Sequence, residues 1–141
     1  MHTTKHLVIN LVLGGIILFL RGEPVFSLGL LLIVLAGGII DFDHVFDEMR
    51  KGSWKHPGKM IKRWAATHNQ YVQGLYAFHT GEFLLLMIIL SFIFPILAYV
   101  FIGLVLHLFA DGVTNYNDTK SFFWLKSYSA LWWLTKKKAN L

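Results

Sequence analysis

The stretch GLVLHLFADGVT, residues 103–114, ends a long apolar run with His107 and Asp111. The two residues are four positions apart, so on a helix they lie one above the other on the same face. An imidazole and a carboxylate at the edge of a hydrophobic segment are costly to leave without partners. The pair therefore predicts half of a metal site at the end of an apolar helix.

The composition is typical of a membrane protein. Of 141 residues, 55% are hydrophobic and only 15% are charged, and the length predicts a single domain, residues 1–141. The chain has no cysteine, which excludes disulfides and thiolate metal ligands. Because basic groups beside apolar spans face anionic headgroups, we interpret the net charge of +5 as a sign of membrane lipids as partners, and we expect no nucleic acid. The oligomeric state stays open.

The apolar runs predict an all-α membrane protein built as a four-transmembrane-helix bundle. The first two spans are residues 6–20 and 25–40. The last two come from the run 83–110, which Pro95 divides, because proline disrupts the interior of a helix.

Basic residues predict the orientation of this bundle. If the amino terminus is cytoplasmic, every lysine and arginine except Arg21 falls on the cytoplasmic side, which is a strong positive-inside bias. We therefore expect a multi-pass protein of the inner membrane with both termini in the cytoplasm. The middle loop, residues 41–81, and the tail, residues 127–138, carry aromatic residues among lysines, so both are expected to contain interfacial helices.

Histidine and carboxylate residues occur at the same end of all four predicted spans. They would meet at the cytoplasmic mouth of the bundle, and such a mixture of ligands suits zinc, manganese or iron better than calcium. The predicted metal ligands, sufficient for two or more zinc ions, are His6, Asp41, Asp43, His44, His79, Glu82, His107 and Asp111. Asn10 and Thr114 share helical faces with these ligands and are predicted to orient a ligand or a substrate oxygen.

This set of residues favours hydrolysis by water that a metal ion activates near neutral pH. We expect Glu82 to act as the general base and Asp43 to take part in catalysis. Taken singly, each residue has a simpler interpretation, namely Asp43 as a helix cap, His107 as a core histidine and Glu82 as a carboxylate favoured at a helix amino terminus. Their convergence argues for metal. His56 and His68 are interpreted as solvated side chains, and a general-acid role for either stays open.

The order of the motifs resembles that of a known family over nearly the whole chain. The segment Thr4-Lys5-His6 leading to Asn10, DxDH at residues 41–44, a helix-initiating His79 and HxxxDxxT at residues 107–114 are similar to the LexA-regulated inner-membrane family of metal-dependent hydrolases. That family is regarded as related to zinc-dependent phospholipase C and the P1-type nucleases. The resemblance implies a phosphoester hydrolase.

The resemblance also implies site residues, and the chain departs from the family in two places. The implied metal-site residues are His6, Asp41, Asp43, His44, His79, His107 and Asp111. Ile40 stands where the family commonly has proline, and residues 78–82, FHTGE, replace an HRGxTHS segment. Glu82 follows His79 by three residues and is interpreted as a substitute ligand or base.

Three functions follow from these expectations. The first is hydrolysis of a lipid or lipid-linked phosphate, because the predicted site lies at headgroup depth and the basic segments attract anionic lipids. The second is transport of a divalent metal ion, although a transporter normally places its polar residues near the midplane of the bilayer. The third is a non-catalytic membrane module that keeps the metal for structure or recruits a partner through its basic loop.

Overall fold

The computed structural model describes residues 3–43, 58, 76–120 and 128–139. No strand occurs among these residues, and a short 3₁₀ turn, Ala77–His79, precedes the third helix. The helices are α1 (Thr3–Leu20), α2 (Leu28–Ile39), α3 (Gly81–Ile93), α4 (Leu97–Thr119) and α5 (Ala130–Ala139). Helix α4 packs against α1, α2 and α3, and α1 also packs against α2. The longest helix is therefore the centre of the fold.

Local capping explains where the apolar helices begin and end. The hydroxyl of Ser27 accepts a hydrogen bond from a backbone N–H in the first turn of α2, and the hydroxyl of Thr80 does the same for α3. Gly22 adopts a φ of +71° in the turn that follows α1, a conformation that glycine reaches without strain. Helix α3 ends shortly before Pro95, as the sequence predicts.

The prediction of four membrane-spanning helices is wrong. Among the residues that the structure describes, only α4 contains a segment long and apolar enough to cross a membrane, Leu97–Asn117. The other apolar segments, Lys5–Leu20, Leu28–Ile39 and Gly81–Ile93, have only 10 to 17 residues. A helix of 12 residues, as in α2, is about 18 Å long, whereas the hydrocarbon core of a bilayer is about 30 Å thick. The Ser27 cap shortens α2 relative to its apolar run, and the chain around Pro95 divides the run 83–110 between α3 and α4.

Glycines let α1, α2 and α4 approach one another closely. A Cβ atom on Gly103 of α4 would lie 2.3 Å from the carbonyl oxygen of Ile33, and one on Gly14 of α1 would lie 2.7 Å from the Ile33 side chain. Ile33 and Leu18 are fully buried at this crossing. The close packing brings the amino end of α1 and the carboxyl end of α2 beside the second half of α4.

The segments predicted to lie on the membrane surface are described only in part. Helix α5 covers residues 130–138 of the predicted interfacial tail, residues 127–138, and ends one residue beyond it. Most of the middle loop, including His44, His56 and His68, lies outside the described residues. The expected interfacial helices of that loop therefore stay a prediction.

Candidate metal centre

Three imidazole rings from separate elements meet in the interior. His6 belongs to the first turns of α1, His79 ends the 3₁₀ turn before α3, and His107 lies in α4. All three residues are buried, with at most 3% of their surface exposed. The rings of His6 and His107 stack at 3.8 Å between centroids, and the ring of His79 meets that of His107 edge-on at 5.4 Å. The convergence of these histidines agrees with the sequence prediction.

Two carboxylates face the same nitrogen atoms. Asp111 places Oδ1 3.1 Å from Nε2 of His6, and places Oδ2 3.3 Å from Nε2 of His107. The same Oδ2 atom lies 3.9 Å from Nε2 of His79. Asp41, just after α2, adds its Oδ1 atom 3.5 Å from Nε2 of His107. The spacing of four residues between His107 and Asp111 thus gives the contact that a helix predicts.

These ligand atoms fit the size of a metal ion. Two groups, His6 with His107 and Asp111, and Asp41 with His79 and His107, each bring three possible ligand atoms within 4.8 Å of one another. Zinc–ligand distances of about 2.0–2.1 Å in a tetrahedral site place neighbouring ligand atoms about 3.3 Å apart. The distances between carboxylate oxygen atoms and imidazole Nε2 atoms in the cluster, 3.1–3.9 Å, lie around that value. The buried histidine and aspartate groups could therefore hold a metal ion.

The protein fixes the tautomer of two of the three histidines. The carbonyl oxygen of Gly37 lies 2.6 Å from Nδ1 of His107, and because a carbonyl can only accept, Nδ1 carries the proton. Oδ2 of Asp43 lies 3.0 Å from Nδ1 of His79. A carboxylate oxygen also only accepts, so Nδ1 of His79 carries a proton and donates it to Asp43 in this hydrogen bond. Each ring is left with an Nε2 lone pair directed at the carboxylates. This arrangement is usual for histidines that bind metal.

Two buried nitrogen atoms of the cluster lack a hydrogen bond among the described residues, and a cation beside the carboxylates would relieve one of them, Nε2 of His107. Nε2 of His107 and Nδ1 of His6 are buried and form no hydrogen bond with the described part of the chain. A buried polar atom that lacks a hydrogen bond costs roughly 1–3 kcal/mol. No described acceptor fixes the Nδ1 proton of His6, so His6 is less preorganised as a ligand than His79 and His107.

Asp43 lies behind His79 and belongs to neither group of possible ligands. Besides the His79 imidazole, its Oδ2 atom accepts the backbone N–H of Phe78 at 3.2 Å. This oxygen atom of the carboxylate therefore orients an imidazole, and the predicted role of Asp43 as a metal ligand stays a prediction. His44, the remaining predicted ligand after α2, lies outside the described residues.

The two residues predicted to orient ligands each donate a hydrogen bond to helix carbonyl oxygens. Asn10 is fully buried, and its Nδ2 donates to the carbonyl oxygens of Ile33 at 3.0 Å and Gly103 at 3.1 Å. It therefore ties α1 to α2 and α4 one turn below the cluster. The Thr114 hydroxyl donates to the carbonyl oxygen of Ala110 within α4 at 3.0 Å.

Glu82 lies away from the metal cluster, contrary to its predicted role as ligand and general base. Its carboxylate accepts the Ser129 hydroxyl at 2.9 Å and the backbone N–H groups of Ala130 at 3.1 Å and Leu131 at 3.3 Å. Hydrogen bonds from its own backbone N–H and from that of Ala130 lower the pKa of Glu82 to about 2. A carboxylate of such low basicity is a poor general base near neutral pH. Its role is to hold the amino end of α5.

One functional group was missed by the sequence analysis, the carbonyl oxygen of Gly37 that fixes His107. A backbone acceptor has no signature of its own in the sequence. The available signal was the Gly37-Gly38 pair inside an apolar helix, which indicates close approach of another helix. A Cβ atom on Gly37 would lie only 1.6 Å from Nδ2 of Asn10. This position therefore admits glycine alone without rearrangement.

Comparisons with known proteins give no match, whether by family models, by similarity to curated proteins or by similarity to solved structures. The resemblance to the LexA-regulated family therefore stays an interpretation of the motifs quoted above.

Proposed function

We propose that this protein is a membrane-associated, metal-dependent hydrolase of phosphoesters. The observation that carries the proposal is the set of three buried Nε2 atoms facing the carboxylates of Asp41 and Asp111. Burying so many polar groups without a cation would be strongly unfavourable. Zinc suits this mixture of imidazole and carboxylate best, and manganese or iron would also fit.

The two oxygen atoms of Asp111 support a site for two ions. Oδ1 faces His6, whereas Oδ2 faces His107 and His79. His107 offers only Nε2, because its Nδ1 atom donates to Gly37, so this ring serves a single ion. If two zinc ions bind, His107 would hold one of them and Asp111 could serve as a ligand to both.

The proposed reaction adds water across one phosphorus–oxygen ester bond and releases an alcohol and a phosphate. A bound divalent ion would polarise the phosphoryl oxygen and lower the pKa of water. The protein's own part is to hold the ligands in place: Asp43 orients the imidazole of His79, and Gly37 orients that of His107. Both acceptors are fixed before substrate arrives, so no reorganisation is needed during the reaction.

Membrane association is proposed from the outer faces of the helices. On α1, Leu11, Val12 and Ile16 are each at least 50% exposed, and similar apolar side chains are exposed on α2 and α3. An exposed apolar surface of this extent is typical of contact with lipid or a partner. We expect the protein to remain in the membrane pellet after an alkaline wash, and recovery in the supernatant would contradict this part of the proposal. A lipid or lipid-linked phosphate is the substrate that such a location favours.

A screen for hydrolysis of phosphate esters, read out by the alcohol that each ester releases, tests the proposed activity. Metal-loaded wild type should hydrolyse at least one phosphomonoester or phosphodiester, and His107→Ala should lower kcat/KM by about a hundredfold or more. Tyr99→Phe is the matched control, because Tyr99 bonds to Glu23 in a different part of the bundle and should leave the rate unchanged. Metal-loaded protein that hydrolyses none of the esters, yet takes up metal into proteoliposomes, would favour transport instead.

A further inference from the structure

A cavity of about 270 Å³ opens directly beside the metal cluster, between α3 and α4. His79, a possible metal ligand, is one of the residues that line this cavity. The remaining walls are mainly apolar, and include Leu84, Val105, Leu108, Phe109 and Tyr128. A polar centre and an apolar cavity therefore share one residue. Water is poorly held in such a cavity, because it needs two to four polar partners.

The wall contributed by Tyr128 is held in place by the C-terminal segment. Glu82 accepts three hydrogen bonds from residues 129–131, directly after Tyr128. Asn115 of α4 donates to the Tyr128 hydroxyl at 3.4 Å, and the Tyr128 ring packs against the core formed by α2, α3 and α4. Its centroid lies 6.3 Å from that of His79. The cavity is thus bounded by anchored side chains on three elements.

We propose that this cavity binds the hydrocarbon chain of a lipid phosphate whose phosphate group lies at the metal centre. The inference rests on the proposed function and adds the site that would bind the apolar chain of the substrate next to its phosphate. The chain would enter along α4 past Val105, which is 38% exposed, and would reach the His79 wall. Because His79 both lines the cavity and is a possible metal ligand, this occupant is favoured over a lipid that binds without regard to its headgroup.

A competition experiment with n-alkyl phosphates tests the assignment. Metal-loaded full-length protein in phosphatidylcholine nanodiscs is titrated with labelled decyl phosphate, which is then displaced by the series from butyl to dodecyl phosphate. Each methylene buried should strengthen binding about fourfold, and the gain should stop once the cavity is filled. Partition into the bilayer is subtracted with empty nanodiscs. Dodecanol, which lacks the phosphate, should compete at least about tenfold more weakly than dodecyl phosphate.

Two variants separate cavity binding from adsorption to the outer surface. Val105→Trp should reduce the advantage of dodecyl over butyl phosphate by about tenfold or more, and should leave the affinity for butyl phosphate unchanged. Phe109→Ala, at a site 64% exposed and therefore tolerant of change, should move the plateau to longer chains. Val12→Trp on the outer face of α1 is the matched control and should behave as wild type.

The results distinguish failure of the cavity assignment from failure of the proposed function. An unchanged dependence on chain length in both Val105→Trp and Phe109→Ala would overturn the assignment, as would equal competition by dodecanol. Hydrolysis of the same series at equal rates for all chain lengths would also overturn it, while leaving the hydrolase intact. Chain-dependent binding without hydrolysis would support the cavity and refute the hydrolase.

Discussion

The substitution Asp43→Asn tests whether Asp43 orients the imidazole of His79 for metal binding. Oδ2 of Asp43 lies 3.0 Å from Nδ1 of His79, and both side chains are at most 8% exposed, so water cannot replace the carboxylate. Asparagine retains an oxygen acceptor but loses the negative charge that strengthens this hydrogen bond. Its amide group can also donate to Nδ1, which would place the proton on the Nε2 atom that should bind metal.

The expected loss in metal affinity is substantial but incomplete. Removing the carboxylate partner of a metal-binding histidine typically weakens affinity between about tenfold and about a hundredfold. That range corresponds to about 1.4–2.8 kcal/mol of binding free energy. By contrast, His79→Ala removes a ligand atom and should weaken binding well beyond that range.

The assay is a zinc titration of the full chain in competition with a chromophoric chelator. Glu23→Gln is the matched control, because Glu23 bonds to Arg21 and Tyr99 away from the cluster and should leave the affinity unchanged. An Asp43→Asn variant that folds and binds zinc as tightly as wild type would refute the orienting role. A loss as large as that in His79→Ala would show instead that Asp43 is itself a ligand.

Further predictions concern the glycine contact and the anchoring of α5. Gly37→Ala should lower the free energy of unfolding by about 3 kcal/mol, because the new Cβ would lie 1.6 Å from Nδ2 of Asn10 and break two buried hydrogen bonds. Thermal denaturation measures this loss. Gly38→Ala should leave the free energy of unfolding nearly unchanged, since its Cβ meets only a flexible leucine side chain at 3.0 Å. Equal destabilisation by both variants would contradict the argument. Glu82→Ala should speed amide hydrogen exchange at Ala130 by about tenfold or more, and unchanged exchange would argue against anchoring. The pKa of Glu82 is lowered from 4.5 to about 2, so its stabilising effect on α5 is complete above pH 4.5 and is lost as the pH falls through about 2. Acid titration of tryptophan fluorescence should show this transition in wild type and not in Glu82→Ala.

Residue spacing in the sequence predicts a side-chain contact correctly where both residues lie in one regular helix. His107 and Asp111 are separated by four residues of α4 and meet as helical geometry requires. Their spacing of three residues predicts that His79 and Glu82 lie on one helical face, and this prediction is wrong. His79 lies in a 3₁₀ turn, and Thr80 caps the helix that carries Glu82, so the two side chains point to different parts of the molecule.

The number of membrane spans was wrong because apolar runs were counted in place of helices. The run 25–40 contains sixteen residues, but α2 has only 12, since Ser27 caps its amino end and the helix ends at Ile39. Cap positions are among the less certain features of a sequence. The orientation of His107 by Gly37 depends on the packing of two distant helices, and a sequence pattern does not report such a backbone contact.

Metal content is the most direct test of the central claim that the buried cluster binds a transition metal. Elemental analysis of purified full-length protein should find at least one equivalent of zinc or another transition metal per chain, and about two if Asp111 bridges two ions. The metal should be largely lost in His107→Ala and Asp111→Ala and retained in Glu82→Ala, whose side chain lies outside both ligand groups. A folded wild-type protein that contains no metal and takes up none on reconstitution would contradict the account.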